Sequence, residues 1–149
     1  MRAPWVAPGT LLLTLLLVPL TACVPQSPDT NTYRDAAAQT LGTAVSEVAT
    51  VEQILRLLGE GDMLRPVAVT QLRSREDGLE KSTSWFTGLN PPTGSDLLEQ
   101  RTGTLLQRAG DLVAEARVAV HRDAAGRYPG IAARLASLGS KLDKLESRV

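Results

Sequence analysis

Apolar residues in this chain return every three or four positions, and that spacing, repeated in four separate stretches, restricts the chain to helices with one buried face. In the first stretch Ala37, Leu41, Ala44, Val48, Val51, Leu55 and Leu58 alternate steps of four and three. The run stops at Gly59-Glu60-Gly61-Asp62, which offers a glycine to cap the helix. A second helix is expected from Pro66, where a missing N–H costs nothing. Its stripe is thinner: Leu72, Leu79 and Phe86 recur every seven residues, Ala68, Val69 and Leu89 support them, and Arg75 and Ser82 interrupt one edge. Asn90-Pro91-Pro92-Thr93-Gly94 ends this helix, because two prolines cannot continue it and Asn90 is disfavoured in α conformation before Pro91.

Ser95 or Asp96 is expected to cap the third helix, with Glu99 three residues after Asp96 in the manner of a capping box. Leu98, Thr102, Leu105, Ala109, Leu112, Ala116 and Ala119 keep the four-three rhythm, and Leu106, Val113 and Val120 widen the face. The pattern breaks near Asp123-Ala124-Ala125-Gly126, and Pro129 allows a new start. Ile131, Leu135, Leu138, Leu142, Leu145 and Val149 then form the cleanest stripe. Four amphipathic helices joined by short connections pack antiparallel, so the expected fold is all-α, an up-down-up-down four-helix bundle. A three-helix bundle with the second segment frayed is the alternative. Glycines and prolines cut every stripe before a sustained coiled coil can accumulate.

The first 22 residues follow a different plan. Met1 and Arg2 carry positive charge, Thr10 to Val18 is an apolar core, and Pro19 precedes Leu20-Thr21-Ala22-Cys23. Charged, apolar and small-residue regions in this order read as a secretory signal. Leu20, Thr21 and Ala22 before Cys23 resemble the lipobox of bacterial lipoproteins. That resemblance implies that the Cys23 sulfur takes a diacylglyceryl group, that a dedicated peptidase cuts after Ala22, and that the mature protein is held by lipid on the outer face of a cell membrane. An uncleaved anchor fits less well, since Pro4, Pro8, Gly9 and Pro19 leave an apolar run shorter than the roughly 20 residues of a spanning helix. Cys23 is the only cysteine, which rules out an intramolecular disulfide. The expected organisation is a signal peptide over 1–22, a lipidated cysteine and flexible tether over 23–32, and a helical bundle over 33–149. In overall plan, with a Trp-Phe…Asn-Pro-Pro junction among Ala/Leu/Arg-rich helices, the chain is similar to uncharacterised helical lipoproteins of high-GC Gram-positive bacteria. That group brings an address and no chemistry.

Candidate chemistry is sparse. His121 is the only histidine, so most nucleophile–base pairs and histidine metal sites are excluded, and its place near the end of the third helix suits a cation on the helix dipole. A di-metal bundle needs Glu-x-x-His pairs that the chain lacks. Glu47, Glu52, Glu76, Asp77, Glu80, Asp111 and Glu115 lie mostly off the apolar stripes, and Asp77 and Lys81 sit at ion-pair spacing. Basic and acidic side chains balance at 16 each, and no polybasic segment marks a nucleic-acid or anionic-lipid partner. The expectation is a protein without cofactor, metal or catalytic residues. Its candidate interaction site is Trp85 with Arg73 and Arg75 on the second helix, and the chain reads as a protein-interaction or structural module of the cell envelope with an envelope protein as partner. The alternative is a small-molecule or lipid binder using the seam between helices.

Overall fold

A computed structural model describes residues 28–149. The signal peptide over 1–22, the lipobox, Cys23 and the tether residues up to 27 lie outside the described residues. Four helices follow in order: α1 (Thr30–Glu60), α2 (Arg65–Thr87), α3 (Asp96–His121) and, after a 3-10 turn at Ala125–Arg127, α4 (Tyr128–Glu146). Each packs antiparallel to its chain neighbour, α4 closes the ring against α1, and α1 and α3 touch across the diagonal. This is the up-down-up-down arrangement. The second helix is fully formed, so the three-helix alternative falls. No helix among the described residues is long and apolar enough to cross a membrane.

Helix α1 begins at Thr30, inside the stretch expected as tether up to residue 32. The cause is Asp29, whose Oδ1 accepts from the amides of Asn31 and Thr32, both at 2.9 Å, while its Oδ2 accepts from the Thr32 hydroxyl at 3.2 Å. Two otherwise orphaned helix donors are thereby satisfied. These bonds, the Thr32 amide first, hold the Asp29 carboxyl below its usual range. A depressed carboxyl stabilises the helix end fully above its unfolded-state value and stops doing so as pH falls through the folded-state value. The first turn of α1 should therefore fray at acid pH while the rest of the bundle holds. Hydrogen exchange at Asn31 and Thr32 checks this, with protection relative to the intrinsic rate falling as the solution is acidified and no such fall in Asp29→Asn.

The other end of α1 closes as expected. Gly61 adopts φ 83°, and the amides of Gly61 and Asp62 bond back to Leu58 and Leu57, a Schellman closure. Asp123 repeats the same geometry after α3 at φ 55°, with its amide on Val120 and that of Ala124 on Ala119. The start of α3 departs from expectation. Ser95 precedes the helix with ψ 2° rather than extended backbone, and its side chain makes no capping bond. Asp96 and Glu99 in the first turn leave favourable charge on the dipole, but no capping box forms.

The core follows the stripes closely. Ala37, Leu41, Ala44, Val48, Val51 and Leu55 are buried from α1; Ala68, Leu72, Leu79 and Phe86 from α2; Ile131, Leu135, Leu138 and Leu142 from α4. On α3 the buried line is Thr102, Leu106, Ala109, Val113, Ala116, Ala119 and Val120, so Leu98, Leu105 and Leu112, expected at its centre, sit half-buried on the rim toward α4. Alanines on α1 and α3 let those helices approach across the diagonal and fill the seam with backbone and methyl groups. Thr102 Oγ1 is buried among them without a hydrogen-bond partner in the described residues, at a cost of about 1–3 kcal/mol. Two buried aromatics lay off the stripes. Tyr33 packs on Phe86 with ring centroids 5.3 Å apart and planes tilted by 36°, pinning α1 to α2, and Tyr128 closes the opposite end.

Candidate interaction surfaces

Facing charges pair across three of the helix interfaces. Between α1 and α2, Arg75 Nη1 lies 3.2 Å from Glu47 Oε2, and Gly78 leaves room for that carboxylate, since a Cβ there would stand 3.0 Å from Glu47 Oε1. Glu47 keeps only 13% of its side chain exposed. Between α2 and α3, Arg117 grips Glu76 with Nε and Nη2. At the far end of the α3–α4 interface Glu115 receives Arg127 at 2.6 Å and Arg134 at 2.7 Å. The Arg134 bond is the main reason that the Glu115 carboxyl is held below its usual range, with Arg127 adding to it. Exposed pairs such as Arg65 with Asp123 add little stability, but they fix which side chains remain available. The Asp77–Lys81 pair expected on α2 does not form among the described residues.

The candidate residues of α2 do not form one site. Arg75 is engaged by Glu47. Arg73 is exposed but lies twelve residues before Trp85, a rise of roughly 18 Å along the helix. Trp85 stands alone: 51% of it is exposed while its neighbour Phe86 is 1% exposed. It borders a shallow groove between α1 and α2 with Gln39, Thr40, Thr43 and Ser82. A large aromatic half in water, held in place by a buried neighbour, is a ready anchor for a partner. His121 is the last residue of α3 and is exposed. Among the described residues no three His, Cys, Asp or Glu side chains gather to hold a metal.

A second surface was not expected. Between α3 and α4, near the end where the chain enters the bundle, runs a groove of about 490 Å³ lined by Gln100, Arg101, Thr104, Leu105, Lys141, Lys144, Leu145 and Arg148. It continues around the end of the bundle into a smaller hollow that shares Arg101, Leu145 and Arg148 and adds Arg34 and Leu97. No Asp or Glu lines either, and none of these five cations pairs with a carboxylate of the described residues. Residues 1–27 contain no Asp or Glu that could pair with them. The cations arrive from three helices, which is why a search for a polybasic segment missed them. One signal was there: Lys141 and Lys144, three apart, share a face of α4, and Arg148 follows four residues on, just past the helix end.

A scan against protein-family models, a search of curated proteins and a search of solved structures each returned no match.

Proposed function

We propose that this chain is an exported lipoprotein, anchored through acylated Cys23 to the outer face of a cell membrane, whose bundle works by contact with another envelope protein rather than by catalysis. The observation that carries the contact role is Trp85, 51% exposed although the other aromatics of the described residues, Tyr33, Phe86 and Tyr128, are all buried. The filled seam favours this reading over a ligand pocket, because Ala37, Ala44, Ala109, Ala116 and Ala119 leave the helices in direct contact. The address rests on Leu20-Thr21-Ala22-Cys23 after a charged and apolar leader.

Trp85→Ala separates a contact residue from a structural one. Truncating a half-exposed tryptophan should cost less than about 1 kcal/mol of stability, against the 3–5 kcal/mol of a buried one. Crosslinking in intact cells should capture a partner with the wild-type chain and lose most of that yield with the variant at an unchanged melting temperature. Once the signal peptide and Trp5 are removed, Trp85 is the only indole, and its emission should be red-shifted and open to quenching. Blue-shifted, shielded emission, or full crosslinking yield from Trp85→Ala, would remove Trp85 as the contact.

A further inference from the structure

The α3–α4 groove brings like charges together where the rest of the bundle pairs opposite ones. Arg101 on α3 faces Lys141 and Lys144 on α4 and Arg148 in the turn just after it, and Arg34 completes the cluster from near the start of α1. Cations gathered without ion-pair partners repel, even though Asp111 and Glu115 lie in the next hollow along from Lys141, and the arrangement gains stability when an anion fills it. Between them lie apolar patches from Leu105 and Leu145, and Leu97, 57% exposed, stands at the mouth. Cations around an apolar floor match a surface of phosphate headgroups over acyl chains.

The charge of the groove and the point where the chain enters together select the occupant. Asp29 caps α1 six residues after Cys23, and six extended residues span about 20 Å at most. The N-termini of α1 and α3 and the C-termini of α2 and α4 share that end of the bundle, so the cation groove lies, like Trp85 on the opposite side, in the half of the domain nearer to whatever holds Cys23. Attraction between exposed charges fades over roughly 10 Å, and a reach of no more than about 20 Å lets the groove come within that range of the bilayer surface without travelling far. We propose that the α3–α4 groove docks onto the anionic headgroups of the membrane that carries the lipid anchor. This rests on the lipoprotein reading above. Docking on this side turns the α1–α2 face, with Trp85, away from the bilayer and toward solvent.

The test uses the acylated protein, inserted by its own anchor into vesicles of phosphatidylcholine alone or of phosphatidylcholine and phosphatidylglycerol in equal parts. The lipid occupies Cys23, so Thr104→Cys in the groove and Gln39→Cys beside Trp85 each accept one fluorophore. With phosphatidylglycerol, the Thr104 label should be shielded from acrylamide and the Gln39 label should not, and added salt should release the shielding. Each cation neutralised should lower the ratio of docked to undocked domain roughly fivefold, so Arg101→Gln with Lys144→Gln should lower it roughly 25-fold. Both side chains are exposed, and circular dichroism should show the bundle intact. Equal accessibility of the Thr104 label in the two vesicles would overturn docking and leave the anchor standing. Shielding that appears only when an acidic protein or inorganic phosphate is added would overturn it in favour of that occupant. Purified protein that carries no acyl chains would overturn the anchor and the docked orientation together.

Discussion

Leu135→Asp is expected to unfold the domain. Leu135 is fully buried on α4, which makes its main contacts with α1, and no cation lies within the core to receive a carboxylate there. The substitution loses about 2–5 kcal/mol of packing and adds the several kcal/mol of an unpaired buried charge. Together these approach or exceed the whole stability of a domain this size, typically about 5–15 kcal/mol. Far-UV circular dichroism should show most of the helical signal gone at room temperature. Leu112→Asp is the internal control, because Leu112 lies half-buried on the α3–α4 rim and its carboxylate can turn to water. That variant should stay folded and melt roughly 5 °C lower. Wild-type melting of Leu135→Asp would mean that the α4 stripe faces no core.

Cys23→Ala is expected to move the protein from the membrane fraction to the soluble one and to abolish incorporation of a fatty acid analogue, with the helical spectrum unchanged. Two acyl chains hold a protein far more firmly than one, at roughly 0.8 kcal/mol per buried methylene, so the effect on partitioning should be close to complete. The fold should be indifferent, because the buried core described here is built from Tyr33 onward. Acyl label persisting in the variant would sink the lipobox reading, and unlabelled protein still held by membranes would point to another means of attachment.

The helices were legible because each stripe is long enough to outvote its own exceptions. Arg75 and Ser82 weakened α2 on paper, yet Leu72, Leu79 and Phe86 alone suffice to seat it, and Arg75 turns sideways to Glu47. Position within a stripe was less legible than its existence: a rotation of α3 by part of a turn moved Leu105 and Leu112 to the rim and brought Leu106 and Val113 to the centre. Caps depended on backbone angles that residue identity does not settle. Asp29 has the extended backbone that lets it cap, and Ser95, a residue of equal preference, does not. Tyr33 and Tyr128 fell outside the counted stripes because a phenol reads as either buried or exposed. Of the candidate surfaces, Trp85 was visible as an unusual residue, whereas the cation groove exists only where separate helices meet.

The way α1 sits in the bundle has a mechanical consequence. It is the longest helix, 31 residues, and it touches each of the other three, while the chain enters at its capped N-terminus. A domain held by that terminus takes any drag from its surroundings as a pull along the axis of α1. Such a load shears the helix against three neighbours at once and is shared over many turns, instead of peeling contacts away one by one. Its first point of resistance is the Asp29 cap, and its second is the packed pair of Tyr33 and Phe86 one turn further in. A pull of this kind should therefore leave the bundle intact until the Asp29 cap and the Tyr33–Phe86 contact give way.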